Sequence, residues 1–245
     1  MGSFIDLHLH YLPGVDDGVP SLADAVTICR ELKAMGYAKL VTTPHIRSHM
    51  FENRKAGLEQ AFSGLRGEIE AAAGDASALP ELALSAEHHC DALFLELFES
   101  DQLLPYPGAR AILVEFPNES LPVAFDRLAF RLARKGLRPV IAHPERYVPL
   151  FKRTDAVDPL LDQEVGLQLD LMSLVGKYGR HARKAAERML EEGAYTIAAT
   201  DTHRVDDLAR VAQALDLLYK LAGDEEAALL LGENPRRLLA GEPTL

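Results

Sequence analysis

The sequence predicts an α/β protein with the rhythm of a (β/α) barrel, and three observations carry that expectation. Short apolar runs alternate with helix-like segments along almost the whole chain. Seven of these runs read as strands, each followed by a helix or a helical loop. Most of them end in a polar side chain able to bind a metal, and barrel active sites gather at the C-terminal strand ends.

In chain order, Ile5–Leu9 reads as the first strand, closed by the Pro13-Gly14 turn. Ser21-Leu-Ala-Asp24 resembles a capping box and opens a helix that ends near Met35-Gly36. Lys39–Thr43 is a strand stopped by Pro44, and Asn53–Ala73 a long helix. Short strands follow at Ala83–Ala86 and Ala111–Val114. Pro122–Lys135 is helical, with Gly136 just past its end. Strands are expected at Pro139–Ala142, Leu167–Leu171 and Tyr195–Ala199, and helices at Arg180–Glu192 and Asp206–Tyr219. Helical pieces continue to the end. No linker, low-complexity tract or composition break interrupts residues 1–245, so one domain is expected.

Composition narrows the class. Of 245 residues, 48% are hydrophobic and 26% charged, which are globular values. No apolar run approaches a membrane span, and residues 1–20 lack the basic start and apolar core of a signal peptide. Cys29 and Cys90 alone make no disulfide framework, so the cytoplasm is the expected compartment. The formal charge of −11 and the lack of a Lys/Arg block argue against nucleic acid as a partner.

The strand ends carry the chemistry. The first gives His8 and His10 in a His-x-His pair, with Asp16-Asp17-Gly18 shortly after. Alternate strand side chains share a face, so both imidazoles can aim at one point. The later ends give Thr43-Pro44-His45, Ser85-Ala86-Glu87, Val114-Glu115, Ala142-His143-Pro144 and Thr200-Asp201-Thr202-His203. The resulting donors are His8, His10, His45, His143, His203, Asp17, Glu87, Glu115 and Asp201. Nine donors exceed what one ion needs, since catalytic zinc takes about three protein ligands. They suit two or three divalent ions, and nitrogen and oxygen donors without thiolate suit Mn²⁺, Fe or Zn²⁺. Three such ions add about +6 to the −4 of four carboxylates, leaving roughly +2. A loaded pocket therefore attracts a phosphate that so acidic a protein otherwise repels.

The arrangement D-x-H-x-H, then D-D-G, T-P-H, a central Glu, H-P-E-R and a late D-x-H resembles the polymerase-and-histidinol-phosphatase (PHP) superfamily. Three stretches narrow the resemblance: His10-Tyr-Leu-Pro-Gly-Val-Asp-Asp-Gly18, Ala142-His-Pro-Glu-Arg-Tyr147 and Asp201-Thr-His203. They are similar to the bacterial PHP-type protein-tyrosine phosphatases encoded with capsular and exopolysaccharide systems, and Glu115 fits that subgroup. Weaker similarity runs through Gly176-Lys-Tyr-Gly-Arg180 and Glu233-Asn-Pro-Arg-Arg-Leu-Leu-Ala-Gly-Glu242.

The resemblance implies a distorted seven-stranded (β/α) barrel with a trinuclear site, often manganese. By position, His8, His10, Glu87 and Asp201 would hold one ion. Glu87, Glu115 and His143 would hold a second, and Asp17, His45 and His203 a third. Arg146 matches a family arginine that contacts phosphate. A second family arginine falls on Leu208, leaving Arg204 or Arg210 to stand in as a substrate contact. The implied partner is a phosphotyrosine protein, an autophosphorylated bacterial tyrosine kinase. Histidinol phosphatase, or another small-molecule phosphomonoesterase, is the alternative reading.

The Cys-x5-Arg motif of thiol phosphatases is absent, because Met35 and Glu96 occupy the arginine positions; Cys29 and Cys90 are expected in the core. His88 and His89 adjoin Glu87 and are candidates for the pocket wall. Tyr11, Tyr106, Tyr147 and Tyr178 read as packing residues, with Tyr147, next to Arg146, the first candidate for a substrate contact.

Overall fold

The computed structural model describes residues 4–122, 125–161 and 165–245. Its strands are β1 (Phe4–Leu9), β2 (Tyr37–Thr42), β3 (His45–Ile46), β4 (Glu81–Leu84), β5 (Glu87–His89), β6 (Ala111–Glu115), β7 (Arg138–Ala142), β8 (Gly166–Asp170) and β9 (Ile197–Ala199). The helices are α1 (Leu22–Ala34), α2 (Lys55–Ala73), α3 (Ala92–Glu99), α4 (Phe125–Arg134), α5 (Asp158–Leu161), α6 (Leu171–Leu174), α7 (Arg180–Glu191), α8 (Leu208–Ala228) and α9 (Asn234–Leu239).

All strand pairings are parallel, in the orders β1-β2-β4 and β3-β5-β6-β7-β8-β9. β2 and β3 are two halves of one stave, parted at Thr43-Pro44. β4 and β5 are halves of the next, parted at Ser85-Ala86. Proline has no N–H to give the ladder, which accounts for the first break. Among the described residues nine strands thus make seven staves, as the sequence predicts. A parallel bridge between Leu9 and Thr202 closes the ring. There the His10 amide donates to Thr202 O at 2.9 Å and the Asp201 amide to His8 O at 2.8 Å.

The expected strand at Ala83–Ala86 breaks at Ser85-Ala86 and resumes as β5, placing Glu87 at the start of a second segment. Helix α3 has no counterpart in the sequence reading. Asp91 caps it, accepting from the Leu93 and Phe94 amides at 2.8 and 3.1 Å. The expected capping box of α1 forms in part, with Ser21 Oγ accepting from the Asp24 amide at 3.2 Å. Residues 123 and 124 of the helix expected from Pro122 lie outside the described residues. Its end is as expected, with Gly136 left-handed at φ +73°. Helix α8 runs well past the expected Tyr219, interrupted at Gly223.

Two apolar clusters follow from the alternation of each strand. On β6, Ile112 and Val114 join the large cluster shared with the surrounding helices. Ala111 and Leu113 join a smaller one with Ile5, Leu7, Val41, Ala83, Val140, Ala142 and Ile197. The smaller cluster draws on six of the seven staves and fills the barrel interior. Glu115 continues its β6 face and opens at the barrel mouth. The inward residues of β8 are polar, Gln168 and Asp170, and both are fully buried. Among the described residues, no helix is long and apolar enough to cross a membrane.

Candidate metal centre

Every donor expected from the sequence sits at one mouth of the barrel. His8 and His10 come from the end of β1, and His45 opens β3 past the break in its stave. Glu87 opens β5 and Glu115 ends β6. His143 and Asp201 follow β7 and β9 in left-handed conformations, φ +35° and +50°. That region is costly for a residue with a Cβ, and such outliers gather at functional sites. Here the turns bring His143 Nε2 to Glu87 and Asp201 Oδ1 to His8.

Glu87 is the hub. Its Oε2 lies 3.1 Å from His8 Nε2, 3.0 Å from His45 Nδ1 and 3.5 Å from His10 Nε2, and its Oε1 lies 3.0 Å from His143 Nε2. Asp201 Oδ1 lies 3.2 Å from His8 Nε2, 3.4 Å from His10 Nε2 and 3.5 Å from His203 Nδ1. Asp17 is the exposed member; its Oδ1 stands 3.4 Å from His45 Nε2 and 3.6 Å from His203 Nε2.

Four overlapping triads have donor atoms within 4.8 Å of one another: His8–His10–Asp201, His8–Glu87–His143, His45–Glu87–Glu115 and His10–His45–His203. The first fits the grouping the resemblance implies, and the last keeps its His45–His203 pair but has His10 where that grouping has Asp17. The middle two differ from it, placing Glu115 with His45 and His143 with His8, so that Glu87 joins both.

The donor set fits cations. His8 Nε2, His10 Nε2, His45 Nδ1, Glu87 Oε2 and Asp201 Oδ1 are buried and make no hydrogen bond. Unsatisfied buried polar atoms are costly, and five converging on one spot are accounted for by a shared ligand. Burial opposes ionisation of Glu87 and Asp201, yet the surrounding imidazoles hold both carboxyls well below the usual range. Burial likewise opposes charge on His8, but the Glu87 and Asp201 carboxylates outweigh it and hold that imidazole up at about 9. The pocket thus demands positive charge, which protons or metal ions can meet. Burial and the neighbouring His10 push His203 the other way, down to about 4.

Several residues missed in the sequence hold the donors in place. His8 Nδ1 is 2.7 Å from Gln168 Oε1, and His10 Nδ1 is 2.7 Å from Asp16 Oδ2. Burial would raise the Asp16 carboxyl, but His10 beside it holds it down at about 2. Asp16 also accepts from the His45 and Gly18 amides, at 3.1 and 2.9 Å. A Cβ at Gly18 would lie 2.4 Å from His10 O, so this close approach requires glycine. The doublet Asp16-Asp17 divides its labour, one carboxylate orienting His10 and the other facing the cleft. His89 Nδ1 lies 2.8 Å from Glu115 Oε2. Its neighbour His88 faces away, paired with Leu113 O and the Leu104 amide. Burial pushes His88 down to about 4, so it is a neutral packing residue.

Arg146 faces the same mouth. Its Nη1 donates to Asp201 Oδ2 at 2.7 Å and lies 3.6 Å from Asp170 Oδ2. Its guanidinium rests 4.3 Å above the Tyr178 ring. Tyr178, not Tyr147, is therefore the aromatic partner of Arg146. Tyr147 is fully buried; its hydroxyl donates to Ala142 O at 2.7 Å and accepts from the Phe116 amide at 2.9 Å. Arg204 is turned from the cleft. Its Nη1 donates to the backbone carbonyls of Asp17, Gly18 and His203 and secures the Asp-Asp-Gly loop. Cys29 is buried in the core, as expected, and Cys90 packs against it.

The cleft over the donors holds ≈ 180 Å³ and is rimmed by Arg47, Met50, Phe51, Asn118 and Arg146. The arrangement can gather divalent cations on one side and present a guanidinium to an anion on the other.

The chain is 29% identical over 241 residues to the tyrosine-protein phosphatase YwqE of Bacillus subtilis, covering 97% of this chain and 92% of that protein. It is 28% identical over 241 residues to the tyrosine-protein phosphatase CpsB of Streptococcus pneumoniae, with 96% and 98% covered. The crystal structures of YwqE and CpsB are described as unique metal-dependent tyrosine phosphatases. One of them superposes with a TM-score of 0.88 at 27% identity, covering 98% of this chain and 96% of that one. The phosphotriesterase homology protein of Escherichia coli, at 13% identity and a TM-score of 0.62, shares the fold. The sequence model for "Capsular polysaccharide synthesis, CpsB/CapC" matches residues 4–240, and the chain belongs to that family.

Proposed function

We infer that the chain is a metal-dependent protein-tyrosine phosphatase, hydrolysing the phosphomonoester of phosphotyrosine to tyrosine and orthophosphate. The observation that carries this reading is the convergence of buried, hydrogen-bond-free donor atoms beside Arg146, in a member of the CpsB/CapC family. Its relatives named above are tyrosine-protein phosphatases.

In this reading His8, His10, Asp17, His45, Glu87, Glu115, His143, Asp201 and His203 hold two to three divalent ions, with manganese the favoured metal and iron or zinc compatible with the same donors. Bound there, the ions would lower the pKa of an attacking water towards ~7 and neutralise charge on the phosphoryl oxygens. Arg146 lines the cleft beside Asp201. Held by Asp201, Asp170 and Tyr178, it grips two phosphoryl oxygens as a planar fork and stabilises the charge that grows on them. Water attacks phosphorus, the bond to the tyrosyl oxygen breaks, and the leaving phenolate, with a pKa near ~10, departs without a dedicated general acid.

The substrate we propose is an autophosphorylated bacterial tyrosine kinase of a capsule or exopolysaccharide system, met in the cytoplasm by one barrel domain spanning residues 1–245. The family description supports the setting. The test compares kcat/KM for a phosphotyrosine peptide, a phosphoserine peptide and histidinol phosphate, before and after metal stripping and Mn²⁺ return. The expected result is a preference of at least ~100-fold for phosphotyrosine, lost on stripping and restored by Mn²⁺. Preference for histidinol phosphate would transfer the chain to the alternative reading, and undiminished activity after stripping would overturn the metal's role.

A further inference from the structure

Arg204 is committed to three backbone carbonyls and does not join Arg146 in the cleft. Arg47 lines the same cleft directly past β3, three staves around the seven-stave ring from Arg146, which follows β7, and so faces it across the mouth. It is half-buried, and among the described residues no hydrogen-bond or ion-pair partner faces its guanidinium. That is notable in a chain with 37 acidic and 26 basic residues, where most arginines near a carboxylate would pair with it.

The turn that bears Arg47 is built to hold still. The Arg47 amide donates to Phe51 O at 2.9 Å and the Phe51 amide to Arg47 O at 3.0 Å, closing a five-residue loop. His49 takes the left-handed conformation at its tip, φ +64°. The Ser48 amide donates to Asp91 Oδ2 at 2.8 Å, which ties the loop to the cap of α3. The Phe51 ring stacks on His45, 5.6 Å between centroids and 14° between planes, and ties it to the metal donors. A preordered turn spends little entropy when its guanidinium engages a ligand. Met50, 60% exposed beside Phe51, adds an apolar surface at the same rim, of a kind suited to an aryl ring.

We propose that Arg47 is the second substrate-gripping cation, closing on the phosphoryl group from the wall opposite Arg146. This rests on the phosphatase reading and names the residue that completes its anion site. The metal donors and Arg146 would then bind two sides of the phosphate and Arg47 the third.

The test uses Mn²⁺-loaded full-length protein with Arg47→Met, which keeps the stem and removes the charge, and Arg47→Lys, which keeps the charge and loses the planar fork. Three quantities are measured: KM for a phosphotyrosine peptide, product inhibition by orthophosphate, and orthophosphate binding by calorimetry. For R47M, KM and both orthophosphate constants should rise at least ~10-fold, with bound metal and melting temperature unchanged. R47K should recover part of the loss. Should R47M fold poorly, R47K alone carries the test, with orthophosphate weakened ~3-fold or more. An R47M protein that folds and binds orthophosphate as tightly as the parent would overturn the role of Arg47 while leaving the phosphatase reading intact. A parent protein inert towards phosphotyrosine would overturn that reading itself.

Discussion

His8 Nδ1 on β1 and Gln168 Oε1 on β8 lie 2.7 Å apart, both residues fully buried, with β9 between their strands. The amide of Gln168 is oriented by its own nitrogen, which donates to Leu169 O at 2.6 Å. Its oxygen can therefore only accept, and His8 Nδ1 carries a proton. A cation that displaces the Nε2 proton then meets a lone pair facing Glu87 and Asp201, the tautomer a metal ligand requires.

The first prediction tests that pairing. Gln168→Leu removes the acceptor, leaves Nδ1–H unpaired and frees the ring to reorient. Metal affinity should fall ~10- to 100-fold, the usual effect of losing such a supporting contact. A Mn²⁺ titration of activity should show turnover recovering at high metal concentration. An unchanged titration midpoint would show that Gln168 does not set the ring.

Glu87 touches four histidines, so its loss should be the most severe single change at the site. Glu87→Gln or His8→Ala should cut kcat by ~10³ or more and lower bound metal per chain by elemental analysis. Either variant with near-parental activity and full metal content would refute the assignment.

Gly18→Ala forces a Cβ to within 2.4 Å of His10 O and 2.8 Å of Asp16 Oδ1. Both atoms belong to the unit that orients His10, so the turn must shift. Activity should drop ~10-fold or more while far-ultraviolet circular dichroism stays parental, since the strain is local.

Arg204→Ala is expected to behave differently from a substrate contact. Its carbonyl partners lose a charged donor, which costs on the order of 1 kcal/mol and lowers Tm by ~2–4 °C in a chain of this size. Differential scanning calorimetry reads the shift.

The thiols supply a pH-dependent test. Burial raises Cys29 to about 12 and Cys90 to about 11. Both are neutral at pH 8 and unreactive, so iodoacetamide should leave activity unchanged over hours. A thiol whose folded pKa lies above its unfolded value stabilises the fold fully below the unfolded pKa. That stability is lost as pH rises from about 9 towards about 12 for Cys29. Cys29→Ala should reduce the loss of stability over that interval in urea titrations at increasing pH.

Much of the barrel and the donor set was legible in the chain because both rest on local patterns. Apolar runs of strand length, proline and glycine stops, and polar residues one step past a run are properties of neighbours in sequence. The division of the second and third staves into halves was half visible, at Pro44 but not at Ser85-Ala86, which carries no breaker. Helix α3 was missed because Leu93–Phe98 is nearly all apolar and shows no helical period; its cap at Asp91 was the available signal. Tyr147 was favoured over Tyr178 as the neighbour of Arg146 by adjacency, yet adjacent side chains on a tight turn point apart.

By itself, the order of residues determined which side chains carry the chemistry and that a parallel barrel would collect them at one rim, since strand direction fixes which ends lie together. Tertiary structure alone decided the pairings across that rim. Glu115 went to His45, His8 to Gln168 some 160 positions away, Arg204 to backbone carbonyls and Arg47 to the open wall. Such contacts depend on stave stagger, on left-handed turns at His143 and Asp201, and on which buried atom finds a partner first, and none of these has a signature among neighbouring letters.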